Sequence, residues 1–203
     1  MIRRCFPDGI LAGAMVSIGG SVLLACDNRY IGAFLFSLAL LSICYFGFNL
    51  YTGKVGFLLA KHGRDELCEA FIGLLGNLAG TALFGLLIAA ALPRLREAAV
   101  AACENRLTQL PLQTLLRGFL CGILMYAAVW IYREKKTITG ILFCIPVFIL
   151  AGFEHSIADM FYFALAGLFR LQSLWFLLLV ILGNSLGGLF IPFLQYLKGE
   201  RHG

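Results

Sequence analysis

Residues 151–160 read AGFEHSIADM, which places Glu154, His155 and Asp159 within six positions. Two carboxylates and an imidazole can hold, pass or attract protons, and histidine changes charge near neutral pH. The apolar run ILFCIPVFILAGF leads into this stretch and MFYFALAGLF leads out of it. An ionisable side chain deep in hydrocarbon costs roughly 2.5–3.5 kcal/mol on insertion scales. Three of them together need a helix break where protein and pore water can solvate them.

The surroundings are those of a membrane protein. Of 203 residues, 61% are hydrophobic and 13% charged, and the mean hydropathy is +0.90. A soluble domain carries about a quarter charged residues. The surplus here lies in long apolar runs, so the fold class is an all-α polytopic membrane protein. The net charge of +5 is then a topology signal, and no basic stretch interleaved with aromatics suggests nucleic acid. Seven cysteines show no metal-ligand spacing and read as small apolar fillers. The start, MIRR and an apolar stretch ending SVLLAC at Cys26, imitates a lipoprotein signal; the multi-spanning remainder makes it the first transmembrane helix.

With about 20 residues per crossing, six spans emerge: 8–26, 31–60, 67–91, 112–132, 138–170 and 173–197. The second and fifth are too long for one crossing. Each is interrupted, at Asn49–Lys54 and at Gly152–Ser156. Lys and Arg in the short loops favour both termini in the cytoplasm. Arg3, Arg4, Lys61, Arg64, Arg133, Lys135, Lys136, Lys198 and Arg201 fall on that side; Arg29, Arg94, Arg96, Arg106, Arg117 and Arg170 fall on the other. His62 and His202 read as solvated loop and tail groups. The connection PRLREAAVAACENRLTQLP reads as a short amphipathic helix on the membrane surface.

A repeat runs through this plan. LLGNLAGTALFG surrounds Asn77 and ILGNSLGGLFIP surrounds Asn184, and each follows a broken span, with Thr52 and His155 set at matching places. Two halves of three spans must have opposite topology, because three is odd. Inverted repeats with paired broken helices build midplane sites in transporters and channels, and small residues beside each Asn let helices approach closely. Backbone freed at a break within the membrane must line a cavity or be buried, and half-helix N-termini attract anions. The chain is thus one domain over 1–203, with repeats at 1–106 and 107–197 and a cytoplasmic tail at 198–203.

GFEHSIA at 152–158, FNLYTGK, GNLAG, GNSLGG and RGFLCGILMYAAVW together resemble the formate/nitrite transporter family of pentameric anion channels, across nearly the whole chain. The resemblance implies an aquaporin-like homopentamer with one pore per protomer. It also implies a central histidine between two apolar constrictions. By position His155 matches that histidine and Thr52 the threonine of the opposing loop. Leu50 and Phe148 match one constriction, Phe36 and Leu40 the other. Glu154, Asn77 and Asn184 match structural supports at the breaks; the roles of Asp159 and Lys54 stay open between support and solute contact. The chain departs from the family pattern at Thr139, Gly122, Asp159 and Phe176. The implied function is passage of small weak-acid anions with a proton, formate first and then nitrite, hydrosulfide, acetate and lactate, across a bacterial inner membrane. The alternative is a channel for a neutral solute such as water, ammonia or urea. No cofactor or metal site is expected. The chain has no HExxH and no nucleophile with a spaced base, so no enzymatic activity is expected either.

Overall fold

The computed structural model describes residues 2–58 and 64–199; Lys61, His62, Arg201 and His202 lie outside them. Among the described residues the chain forms helices α1 (Ile2–Ala25), α2 (Arg29–Phe46), α3 (Tyr51–Lys54), α4 (Arg64–Ala91), α5 (Pro93–Leu107), α6 (Pro111–Lys135), α7 (Thr139–Ala151), α8 (Ser156–Ala166) and α9 (Leu171–Leu197), with a 3₁₀ turn at Val55–Phe57 after α3. Five of these (α1, α2, α4, α6 and α9) are long and apolar enough to cross a membrane. The pair α7–α8, bent by 56°, passes the same test as one further span.

Both breaks have one design. Gly47 ends α2 and Gly152 ends α7 in the left-handed conformation, at φ of +73° and +75°, a region glycine enters without a Cβ penalty. The following Phe48 and Phe153 each donate a backbone bond to Ile43 O and Phe148 O, at 3.0 and 2.9 Å. Asn49 N–H then reaches Asp8 O, and Glu154 N–H reaches Arg117 O. The chain re-enters a helix at Tyr51 and at Ser156. Leu50 therefore stands where His155 stands, and Thr52 is two residues further along than the sequence pairing of Thr52 with His155 supposed. The first break is Gly47–Leu50, earlier than the expected Asn49–Lys54; Thr52 and Lys54 lie on the helix after it.

Within each half two helices lie backbone to backbone, α1 along α4 and α6 along α9. A Cβ on Gly9 would come within 2.7 Å of Gly73 O and 2.9 Å of Gly76 Cα; one on Gly118 would meet Val180 O at 3.0 Å. The glycines beside each Asn thus set the approach distance. Gly9→Ala is expected to cost about 1–3 kcal/mol, because backbone rather than a movable side chain blocks the methyl. The midpoint of thermal unfolding in detergent tests this, and an unchanged midpoint would show that α1 and α4 can separate freely.

The amphipathic connection is α5. It buries Leu95, Ala99 and Cys103, a stripe at helical spacing, and packs against α8. Burial pushes the Cys103 thiol up to about 12, which fits the expected filler role. Arg96 reaches Ala166 O at the C-terminus of α8, at 3.4 Å, and Arg170 pairs with Glu104 at 2.9 Å. Gln172 Nε2 donates to Leu107 O at 3.1 Å. The surface helix is in this way strapped across the second half of the bent span.

Candidate functional site: a histidine between two broken helices

Asn77 and Asn184, both fully buried, hold the breaks in place by the same three bonds. Asn77 Oδ1 accepts from Tyr51 N–H at 2.9 Å, and its Nδ2 donates to Gly9 O and Asn49 O at 2.9 and 2.8 Å. Asn184 Oδ1 accepts from Ser156 N–H at 2.8 Å, and its Nδ2 donates to Gly118 O and Glu154 O at 2.8 and 2.9 Å. Each amide thereby satisfies two backbone groups that the break has released and ties them to a carbonyl of the neighbouring helix, Gly9 O of α1 or Gly118 O of α6. No other common side chain offers one acceptor and two donors so compactly.

These braces bring His155 and Thr52 together. His155 caps α8: its Nδ1 accepts from Ala158 N–H at 3.2 Å. A backbone N–H can only donate, so the neutral ring carries its hydrogen on Nε2. That hydrogen is given to Thr52 Oγ1 at 2.8 Å. Both residues are buried, with 3% and 1% of their surface exposed. Phe148 stacks on the imidazole at a centroid distance of 5.7 Å, and Phe36 meets Phe148 edge-on at 6.3 Å.

Phe36, Phe148 and His155 line one cavity of about 370 Å³ on the α5 side. Leu40 and Leu50, each 3% exposed, are not part of its lining. The structure thus groups Phe36 with Phe148, where the resemblance had paired Phe148 with Leu50 and Phe36 with Leu40. Lys54 ends the short helix α3 that follows the other break and is not part of this lining.

The same cavity holds a charged cluster that sequence reasoning missed. Arg106, in the last turn of α5, sends Nε to Glu154 Oε2 at 3.0 Å and to Asp159 Oδ1 at 3.1 Å. Its Nη1 donates to Ala102 O at 3.1 Å, and the guanidinium lies 4.9 Å from the centre of the Tyr162 ring. Gln109 Nε2 donates to Glu154 Oε1 at 2.6 Å, and Arg117 stands 3.9 Å from that oxygen. Burial disfavours the charged guanidinium of Arg106, yet the Asp159 and Glu154 carboxylates outweigh it and raise its pKa above the usual arginine value. One signal was available: Leu95, Ala99, Cys103 and Arg106 fall on one face of α5, so its buried stripe ends on an arginine.

The family model for the formate/nitrite transporter matches residues 1–197. The chain belongs to this family. The uncharacterized transporter YwcJ of Bacillus subtilis is 30% identical over 77% of this chain and 71% of its own length. The formate channel FocA of Haemophilus influenzae is 25% identical over 77% of this chain, but the alignment covers only 64% of that protein. The nitrite transporter NirC of Salmonella typhimurium is 29% identical over 92% of this chain and 79% of its own length. Among solved structures, an FNT family ion channel superposes with a TM-score of 0.85 at 25% identity, over 96% of this chain and 89% of that one. A pentameric formate channel with formate bound gives 0.77 at 24% identity, over 98% and 97%, a likeness of fold.

Proposed function

We propose that this member of the family passes small monovalent anions of weak acids, formate foremost, together with a proton. The observation that carries the reading is the His155–Thr52 hydrogen bond, which joins the two broken spans beside an aromatic pair and an arginine-lined cavity. Arg29, Arg106 and Arg117 border that cavity and give an anion a reason to enter. Phe36 and Phe148 form one constriction; Leu40 and Leu50, apolar and buried, form the other.

Energy decides the form in which the solute crosses. Carrying a bare carboxylate-sized ion into a dry constriction costs an idealised ~20 kcal/mol. Protonating an acid of pKa about 4 at neutral pH costs roughly 4 kcal/mol. Protonation is the cheaper route, so the anion binds in the cavity and the neutral acid passes the apolar rings. His155 takes part through Nε2–H, and the Thr52 hydroxyl, having accepted from it, keeps its own hydrogen to offer the solute. Glu154, Asn77 and Asn184 hold the breaks. Both termini are cytoplasmic, the membrane is the bacterial inner membrane, and five copies assemble as the family resemblance implies.

Flux in proteoliposomes tests the reading. Formate, nitrite, hydrosulfide, acetate and lactate are offered at mildly acidic and at neutral pH, to wild type and to His155→Asn. Acid-stimulated passage of at least one, lost or made insensitive to pH by the substitution, is the expected result. Passage of none of them by correctly folded protein would sink it and bring neutral solutes forward.

A further inference from the structure

Glu154 and Asp159 are 4% and 1% exposed, and their carboxylates meet at one N–H: Arg106 Nε lies 3.0 Å from Glu154 Oε2 and 3.1 Å from Asp159 Oδ1. Their partners are unequal. Glu154 is served by Arg106, Gln109 and Arg117. Asp159 has only a share of the Arg106 Nε–H, through Oδ1, and among the described residues its buried Oδ2 has no donor. Both side chains line the cavity that contains His155. An ionised carboxylate oxygen buried without a donor is costly, and two buried carboxylates crowded around one guanidinium N–H favour holding a proton between them.

We propose that Asp159 and Glu154 share one proton and are the group that hands it to the anion in the cavity. The proposal rests on the weak-acid reading above and names its donor. The remaining neighbours fit. From α5 come Arg106 and the Cys103 thiol; from α6 comes the Cys121 thiol; Tyr162 lies on the helix that bears Asp159. Arg29 and Arg117 border the same cavity. Arg106 compensates the single negative charge of the loaded pair, and the anion meets a neutral cluster with an O–H to offer.

In the transfer, the carboxyl O–H bond of the pair breaks as a new O–H bond forms on the solute carboxylate. The neutral acid moves on past Phe148 and His155. Both carboxylates are left ionised around Arg106, and a proton from the solution bathing the cavity reloads them. The pair holds its proton more tightly than the free acid does, so the transfer runs uphill and is drawn forward as the neutral acid leaves the cavity.

The test measures formate uptake against pH in proteoliposomes for wild type and Asp159→Asn, with Glu154→Gln as the second variant should the first fail to fold. With its donor removed the protein depends on acid already protonated in solution, which falls about tenfold per pH unit. The variant should follow that slope, and wild type should fall less steeply. An unchanged slope and rate in the variant would overturn the proposal. Infrared difference spectra give a readout free of transport: the carbonyl stretch of a protonated carboxyl should persist to neutral pH in wild type and vanish in Asp159→Asn. A wild-type spectrum without that band also overturns it. If wild type passes no anion, the transport reading fails, and the infrared band still decides whether the pair holds a proton.

Discussion

Asn184→Leu should be among the most damaging single substitutions in the chain. Leucine has almost the same shape, so packing around the site changes little. Two buried backbone groups at the break lose their partner, Ser156 N–H and Glu154 O, and Gly118 O, which keeps its bond within α6, loses a second donor. Each buried group left unsatisfied costs about 1–3 kcal/mol, which puts the total on the order of 4 kcal/mol. Hydrocarbon offers no water to repair the loss. Asn184→Asp separates the roles of the two ends: it keeps the acceptor for Ser156 but sets an oxygen against two carbonyls, and should be nearly as harmful. Asn77→Leu should behave alike at the other break, through Tyr51 N–H and Asn49 O. Denaturation midpoints and the yield of folded protein check this. An Asn184→Leu protein within about 1 kcal/mol of wild type would mean that the breaks are held by something else.

Arg106→Leu is the second large effect expected. Among the described residues, it strips Asp159 of its one oppositely charged partner and Glu154 of one of two. Removing one member of a buried ion pair costs about 3–5 kcal/mol, because the charge left behind has nothing to replace it. The lost stability should appear first in α5, whose last turn Arg106 ties to the start of α8. Amide exchange along Pro93–Leu107 should accelerate more than exchange in α1 or α9. Arg106→Lys retains the charge but not a planar fork that reaches two carboxylates and the Ala102 carbonyl at once, so it should fall between the two. Equal exchange in α5 for wild type and Arg106→Leu would remove the cluster from the list of contacts that hold this helix.

Much of this arrangement was legible in the sequence, for identifiable reasons. GFEHS, a glycine followed by ionisable residues in the middle of an overlong apolar run, announces a break, and the repeated Gly-Asn segments announce its brace. The register between the halves was harder to read. Tyr51 and Ser156 have no chemistry in common; what they share is a backbone N–H bound by an asparagine amide, and a backbone group leaves no mark in a sequence. Thr52 and His155 attracted attention as chemical side chains, whereas the residue equivalent to His155 is Leu50. Arg106 was read only as a charge in a loop. Its partners Glu154 and Asp159 are far away in the chain, and only the docking of α5 against α8 brings the three together. The pairing of Phe36 with Phe148 was hidden for the same reason, since it depends on how α2 and α7 cross.

The glycine contacts described above also bear on speed. Helices that touch backbone to backbone, as α1 and α4 do at Gly9 and Gly76 and as α6 and α9 do at Gly118 and Gly183, have no layer of side chains between them to slide on. In the pore proposed above the walls are then fixed, and what can move in its bore is the rings of Phe36 and Phe148. Side-chain rotations are far faster than the rocking of one half of a protein against another, which takes microseconds to milliseconds. On the proposed weak-acid reading, a path opened by ring rotation is limited by how often solute and proton arrive, so its throughput should rise with solute concentration well beyond the point at which a rocking carrier would saturate.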